Sequence, residues 1–254
     1  MRHRSAIGIL VLTGLASGLG PGRAFAAPPA DAISSASYGR SSVWLERDPA
    51  DRAKRRLLFQ PAGEPARVLP LKVPERNRHF VSAWAENVAL GLDRSGRLAV
   101  VLQSRRGLRW SRVARPRLHR VPGTNGDDVF PSLFRGRLAF THAAGKRTRL
   151  RSGTLTAGPA HTLATASEDD NASIMDTRIG SGGAVAYVIG GDGAESAFYH
   201  AHLARPGRRT LNVWPGDSHN DGITLETNRS GRKLTVTAMD RVLHYALPSG
   251  RPLD

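Results

Sequence analysis

The chain has 254 residues, no cysteine, and a formal net charge of +16, with 37 lysines and arginines against 21 aspartates and glutamates. The absence of cysteine excludes disulfide bonds, thiol catalysis and cysteine-ligated zinc. The length suits one sizeable hydrophobic core. The basic excess is compatible with a polyanionic partner, but arginines scattered over a solvated surface would give the same total.

The first 26 residues have the features of an export signal. Residues 1–4 are basic, residues 6–20 are apolar but short for a membrane span, and residues 24–26 form an A-x-A cleavage site. We therefore expect a cleaved Sec-type signal peptide over 1–26, a secreted or periplasmic protein, and no transmembrane segment in the mature chain. Residues 27–37, rich in Ala, Pro and Ser, are expected to be a flexible lead-in to a single domain over 38–254.

The rest of the chain repeats one pattern five times. Each copy contains a short strand, a glycine-containing turn, an apolar strand, a second turn and a third strand, and a fourth strand follows several copies. The apolar second strands are predicted at 43–45, 98–102, 138–141, 185–189 and 234–237. The copies start roughly 40–55 residues apart, which is typical of propeller blades. We therefore predict an all-β chain that forms a single β-propeller of four-stranded blades, with five visible repeats.

The third repeat resembles a known family. Asp128, Pro131, Ser132, Gly136 and the apolar run at 138–140 resemble the D-x-x-P-S-x-x-G-x-x-I-A-F core of TolB-like β-propeller repeats. The motif is structural. The resemblance therefore implies a propeller that serves as a scaffold for protein contacts, and it does not indicate any catalytic chemistry. TolB-like propellers typically have six blades, which leaves open either five blades or a sixth, degenerate blade near 73–89.

The last repeat lacks a clear fourth strand. We expect residues near 30–37 to supply it, so that the ring closes by pairing the two ends of the chain and protects its sheet edges.

An acidic or amide-rich loop precedes the first strand in most repeats, although the chain is strongly basic. In a propeller these loops open on one face around the central channel. The candidate channel-mouth binding residues are Glu86, Asp127, Asp128, Asp169, Asp170, Asp217, His219 and Asp221.

Three interpretations of this channel mouth stay open. In the first, each aspartate caps its own loop. In the second, the carboxylates bind a cation or a hydroxyl-rich ligand, and calcium is the cation that suits hard oxygen donors. In the third, two or three carboxylates hydrolyse a glycoside, with Asp128, Asp170 and Asp221 as the candidates and Glu168 or Glu86 as the acid.

Residues 105–120 form the densest basic segment, which begins on the turn between the predicted second and third strands of the second repeat and runs toward its fourth strand. Arg112 alternates onto the same strand face as Trp110, where we expect its guanidinium to stack on the indole. A solvated surface is the alternative. The candidate polyanion patch consists of Arg105, Arg106, Arg109, Trp110, Arg112, Arg115, Arg117 and Arg120.

These observations favour a secreted, non-enzymatic, monomeric scaffold that binds a protein or a cell-envelope polymer. Nucleic acid is disfavoured because the protein is expected to be exported. The alternative hypothesis is a propeller glycosidase or metal-dependent lyase that uses the acidic channel mouth. No G-x-S-x-G, P-loop or dinucleotide motif in the sequence points to another enzyme class.

Overall fold

The computed structural model describes residues 32–51, 54–73, 88–167, 169, 172–192, 197–214, 222–238 and 241–253. These residues form five antiparallel sheets, each built from strands that are consecutive in the chain. The first three sheets are four-stranded: β1 (Ser34–Tyr38), β2 (Ser41–Arg47), β3 (Arg55–Gln60) and β4 (Arg67–Leu69); β5 (Val88–Leu92), β6 (Leu98–Leu102), β7 (Arg109–Arg112) and β8 (His119–Arg120); β9 (Asp128–Phe134), β10 (Arg137–Ala144), β11 (Arg147–Thr154) and β12 (Gly158–Ser167).

The fourth sheet has four strands, and the fifth sheet has three. A short 3-10 turn at Ser181–Gly183 joins the first two strands of the fourth sheet. The strands are β13 (Ser173–Ile179), β14 (Val185–Asp192), β15 (Ala197–Arg205) and β16 (Arg208–Asn212), followed by β17 (Thr224–Thr227), β18 (Lys233–Ala238) and β19 (Arg241–Ala246).

The sheets are arranged as the blades of a five-bladed β-propeller. The first strand of each blade lies innermost, and β1, β5, β9, β13 and β17 contact one another in that order. This arrangement confirms the predicted fold class, and each predicted second strand falls within β2, β6, β10, β14 or β18. Most of the segment suggested for a sixth blade, near 73–89, lies outside the described residues.

Apolar residues on the second strands hold adjacent blades together. On β6, Val100 and Leu102 pack into a core shared with blade one, whereas Ala99 and Val101 pack into a core shared with blade three. Because β6 is buried on both faces, its sequence is a continuous apolar run and does not alternate with polar residues. The recurring apolar strand in the sequence is therefore the signature of a blade buried between two neighbours.

The Asp-x-x-Pro-Ser segment of blade three makes contacts across a blade boundary. Phe130 has a positive φ of 50°, and the pairing of β9 with β10 shifts register beside it. The Phe130 carbonyl accepts a hydrogen bond from Thr177 Oγ1 at 2.6 Å, and Ser132 Oγ accepts one from the Ile179 backbone N–H at 2.9 Å. The motif therefore joins blade three to blade four, which agrees with its interpretation as structural.

The prediction that residues near 30–37 complete the last blade is wrong. Ser34–Tyr38 form β1 and pair with β2 as the innermost strand of blade one. After a turn at Gly250, where φ is 74°, the C-terminal residues pair with β19 themselves: the Leu253 N–H donates to the His244 carbonyl at 2.8 Å. The predicted lead-in extends to residue 37, whereas β1 already begins at Ser34. Within the described residues, no helix is long and apolar enough to cross a membrane.

Candidate functional site

The predicted channel mouth is only partly described. Asp127, Asp128 and Asp169 belong to the described residues. The convergence of all the acidic loops around one opening therefore stays a prediction. The remaining candidates lie outside the described residues: Glu86, Asp170, Asp217, His219 and Asp221.

Asp128 is a buried anchor at the start of β9. Its side chain is fully shielded from solvent. Oδ2 accepts the backbone N–H of Asn125 at 2.6 Å, and Oδ1 lies 2.9 Å from Nδ1 of His142 on β10. Burial raises the pKa of Asp128, and the Asn125 hydrogen bond and the neighbouring His142 and Arg151 oppose that rise. A carboxylate without accessible surface holds its own loop, so the structure favours the capping interpretation for this residue.

The other two described acids also make local contacts. The Asp127 backbone N–H donates to Asn125 Oδ1 at 3.0 Å. The Asp169 carboxylate accepts a hydrogen bond from Lys146 Nζ at 2.7 Å, and because both side chains are well exposed, this ion pair contributes little to stability. The described residues contain no group of three or more His, Cys, Asp or Glu side chains that could hold a metal ion. Calcium binding stays a prediction.

Half of the predicted polyanion patch lies on the outer strands of blade two: Arg109, Trp110 and Arg112 on β7, and Arg120 on β8. Trp110 is half-buried and packs against the core between blades two and three. The patch arginines that are exposed to solvent are Arg105, Arg106, Arg115, Arg117 and Arg120.

Arg112 pairs with Asp93 and does not stack on Trp110 as expected. Its Nε donates to Asp93 Oδ2 at 2.7 Å, whereas the ring of Trp110 faces His119, with centroids 5.0 Å apart. The expected stacking of Arg112 on Trp110 is therefore replaced by two other contacts. The reason is that Asp93 is a nearly buried carboxylate, and a charged hydrogen bond to it outweighs a cation–π contact at the surface.

Asp93 organises the turn between β5 and β6. Its Oδ1 accepts the backbone N–H groups of Ser95 and Arg97 and the Ser95 hydroxyl. Burial alone would raise the pKa of Asp93, but the hydrogen bonds from Ser95, Arg97 and Arg112 outweigh it and lower the pKa to about 2. Asn228 plays the corresponding part in blade five, where its Oδ1 accepts the N–H groups of Arg232 and Lys233.

Two arginines of the patch oppose each other directly. Arg109 on β7 is the cross-strand partner of Arg120 on β8, and like charges in this position are destabilising. Arg120 Nη2 donates to the Thr124 carbonyl at 3.0 Å. Beside them, a groove of about 480 Å³ is lined by Arg105, Arg106, Arg109 and Lys72. Lys72 follows blade one in the sequence. Its place in this groove could not be predicted, because the sequence does not show that the end of blade one lies beside the outer strands of blade two.

The innermost strands surround a central cavity of about 420 Å³. Its walls include hydroxyl groups of Ser35, Ser37 and Ser132, together with Arg178 and Glu226. These residues are not among the candidate site residues that the sequence suggests. Their position on first strands could have identified them. Side chains alternate along a strand, so polar residues between buried ones face the channel.

Solved structures support the fold. The chain resembles a structure from the nidogen–laminin complex, with a TM-score of 0.50, 15% identity, and coverage of 88% of this chain and 78% of the other. It also resembles the propeller domain of the trilobed protease from Pyrococcus furiosus, described as having an open velcro topology, with a TM-score of 0.51, 5% identity, and coverage of 87% and 70%.

A third similar structure is a prolyl endopeptidase, with a TM-score of 0.51 and 15% identity. The match covers 84% of this chain but only 32% of the endopeptidase, so this chain spans about a third of that enzyme. At these identities the likeness shows the β-propeller fold alone. No protein-family model and no curated protein sequence matches the chain significantly.

Proposed function

We propose that the chain is a secreted, non-enzymatic TolB-like β-propeller that binds an anionic cell-envelope polymer through the rim of blade two. The observation that carries this proposal is the direct opposition of Arg109 and Arg120 across β7 and β8. Such a pair costs stability in the isolated protein. A chain of negative charges lying across the rim would remove that repulsion and make the two guanidiniums complementary to the ligand.

The surroundings of this pair support a polymer ligand. Arg105, Arg106 and Lys72 add cations along one side of Arg109, and the only carboxylate that the described residues bring to a patch arginine is Asp93, which binds Arg112. A row of cations along a groove suits a polymer with regularly spaced charges. The glycosidase or lyase alternative has less support, because Asp128 is buried and its remaining candidates, Asp170 and Asp221, lie outside the described residues.

The proposal is tested by titrating the protein with purified poly(glycerol phosphate) teichoic acid in calorimetry at two salt concentrations. We expect the affinity of the wild type to fall by at least about tenfold between 50 and 200 mM salt, because each neutralised phosphate releases counterions. Replacing the cations of the rim by glutamine should weaken binding by about tenfold or more and flatten the salt dependence. The rim variant carries R105Q, R106Q, R109Q and R120Q.

A control variant of equal charge separates a specific rim from the general basicity of the protein. It removes four exposed arginines that are distant in sequence from the rim: R147Q, R149Q, R208Q and R251Q. We expect it to bind the polymer within about threefold of the wild type. Equal losses in the two variants, or binding that does not weaken with salt, would contradict the proposal.

A further inference from the structure

A second basic site lies at the opposite end of the innermost strands from Asp128. It is a pocket of about 450 Å³ among blades three, four and five, beside the turns that link first and second strands. It shares no residue with the rim of blade two. We call it the turn-face pocket, and the side chains that matter here are Phe134, Arg135, Arg137, Ser181, Ser230 and Arg232.

Three arginines from two blades line this pocket. Arg135 and Arg137 flank the turn of blade three, and Arg232 ends the turn of blade five. All three residues are exposed, and none of the described residues that line the pocket is acidic. Concentrating three like charges around one cavity is unfavourable in the empty protein. The arrangement becomes favourable when a multiply charged anion occupies the cavity.

Glycines allow the walls of the pocket to approach one another. A Cβ atom at Gly183 would lie 2.4 Å from Nη1 of Arg137, and a Cβ atom at Gly231 would lie 2.4 Å from the ring of Phe134. Both glycines have positive φ angles, 75° and 66°. The backbone of blade four therefore leaves room for the guanidinium of Arg137, and the backbone of blade five leaves room for the aromatic side chain in the wall.

Arg135 occupies a turn position that normally favours glycine or asparagine. Its φ is 49°, and that of the following Gly136 is 76°, which is the sign pattern of a tight hairpin turn. A side chain in this left-handed region costs on the order of 1 kcal/mol. The guanidinium of Arg135 lies 5.6 Å from the centroid of the Phe134 ring, within cation–π distance. A less favourable turn conformation at Arg135 is therefore combined with a cation at the edge of the pocket.

Backbone hydrogen bonds fix the other walls. The Ser181 N–H donates to the Gly231 carbonyl at 2.7 Å, and the Leu247 N–H donates to the Arg232 carbonyl at 2.7 Å. Asn228 Oδ1 accepts both the Arg232 N–H and the Ser230 hydroxyl. The segments that carry the cations are therefore held in place before any ligand arrives, which lowers the entropic cost of binding.

We infer that the turn-face pocket binds the phosphoryl group of a small ligand. Guanidinium groups pair with phosphate oxygens through paired hydrogen bonds, and three of them match the charge of a phosphate monoester or diphosphate better than that of a single carboxylate. The volume exceeds that of a phosphate ion and lies in the range of small-molecule sites, which leaves room for an attached organic group. The site is separate from the polymer-binding rim and extends the role of the protein to a second, smaller anion.

Calorimetric titration of the full chain with inorganic phosphate and with glycerol 3-phosphate tests this inference. We expect saturable binding at one site and a loss of at least about tenfold in affinity in the triple variant R135Q/R137Q/R232Q. The single variant R137K keeps the charge but loses the planar fork, so it should bind measurably more weakly than the wild type. Tighter binding of glycerol 3-phosphate would assign the site to an organic phosphate, and tighter binding of inorganic phosphate would assign it to the free ion; either result supports the site.

A matched control removes three exposed arginines that do not line the pocket, as R147Q/R149Q/R208Q. It should bind phosphate like the wild type, and so should the rim variant of blade two. The inference is overturned if no saturable binding occurs up to about 10 mM ligand, or if the triple variant and the control lose the same affinity. Failure of teichoic acid binding at the rim would leave this result unaffected, because the two sites have no residue in common.

Discussion

The hydroxyl of Tyr38 donates a hydrogen bond to the backbone carbonyl of Arg229 at 2.9 Å, and this bond joins the first blade to the last. The Arg229 side chain also lies against Gly39, where a Cβ atom would be 3.2 Å from its Cδ. Each of the four successive blade pairs shares a buried apolar cluster. The contact between Tyr38 and Arg229 therefore marks the joint at which the two ends of the ring meet.

Replacing Tyr38 by phenylalanine should weaken this joint specifically. We expect Y38F to lower the free energy of unfolding by about 1 kcal/mol, the usual worth of one hydrogen bond, as measured by urea denaturation. Hydrogen exchange of backbone amides in β1 and β17 should also increase. The control is Y187F, which removes a hydroxyl that interacts with Thr210 within blade four and should leave exchange in β1 and β17 unchanged. An identical exchange pattern in the two variants would show that Tyr38 does not hold the ends together.

Asp93 should stabilise the protein at neutral pH and lose this effect in acid. Its pKa falls from 3.8 to about 2, which corresponds to about 2 kcal/mol. Because the folded-state pKa is depressed, the unfolded chain takes up the proton first as the pH falls. The stabilisation is present above about pH 4 and disappears between about pH 4 and pH 2. We expect D93N to be about 2 kcal/mol less stable than the wild type at pH 7 and nearly equal to it near pH 2, by urea denaturation.

The control for this prediction is D48N. Asp48 is a half-buried turn residue whose Oδ1 accepts the Ala50 N–H at 2.9 Å. Its replacement should change stability by less than about 0.5 kcal/mol. A difference between D93N and the wild type that stays constant with pH would refute the role assigned to the Asp93 carboxylate.

Asp128 should show the opposite pH dependence. Burial raises its pKa in the folded state, so the folded protein holds this proton at pH values where the unfolded chain has released it. Its contribution to stability therefore decreases as the pH rises above the ordinary value, through the folded-state pKa. In D128N this titration is absent, while the side-chain oxygen can still accept the Asn125 N–H.

Denaturation of the wild type and D128N at several pH values between about 4 and 6 checks this prediction. We expect the stability advantage of the wild type over D128N to shrink as the pH rises. Any titration of Asp93 is common to both proteins and cancels in this comparison. An advantage that grows with pH would mean that the Asp128 carboxylate is stabilised in its ionised form, contrary to the prediction.

Gly91 on β5 should tolerate no side chain. A Cβ atom there would lie 2.2 Å from the Leu133 carbonyl oxygen on the neighbouring blade. We expect G91A to lower the free energy of unfolding by about 3 kcal/mol, because the innermost strands of two blades must move apart. The control is G63A, at a turn where φ is 76° and no atom lies within 4 Å; its cost, about 1 kcal/mol, comes from the backbone alone. Equal losses in the two variants would mean that the two strands can separate freely.

The sequence predicts the blades well because their signal is local. The run Leu98–Leu102 is β6 itself, since a strand buried between two neighbours must be apolar throughout. The fourth strand that the sequence predicts after several copies is present as β4 in blade one and β8 in blade two. The turn around Asp93 and its counterpart at Asn228 are also recognisable, because a side-chain oxygen followed by a Ser-Gly pair favours this hairpin.

The contacts between blades are beyond such reasoning. The contact of Tyr38 with Arg229 joins the first blade to the last and spans 191 positions, and even within blade two the pairing of Arg112 with Asp93 spans 19. The strand that follows β19 is hard to recognise because Pro248 interrupts the pattern, whereas the chain turns back through Gly250 and pairs with β19 itself. The turn-face pocket draws side chains from three blades, so no single stretch of sequence reveals it.

Within the described residues, the first and last blades share no strand, and this has a consequence for how the molecule can deform. A closure in which the two ends of the chain share a sheet would have to break that pairing before the ring could widen, whereas the described ends meet without exchanging a strand. Widening at this joint would enlarge the central cavity while every described blade kept its own pairing. Ser35 and Ser37 lie on one side of the joint and Glu226 lies on the other. The distance between these two sides would therefore change as the channel widened or narrowed.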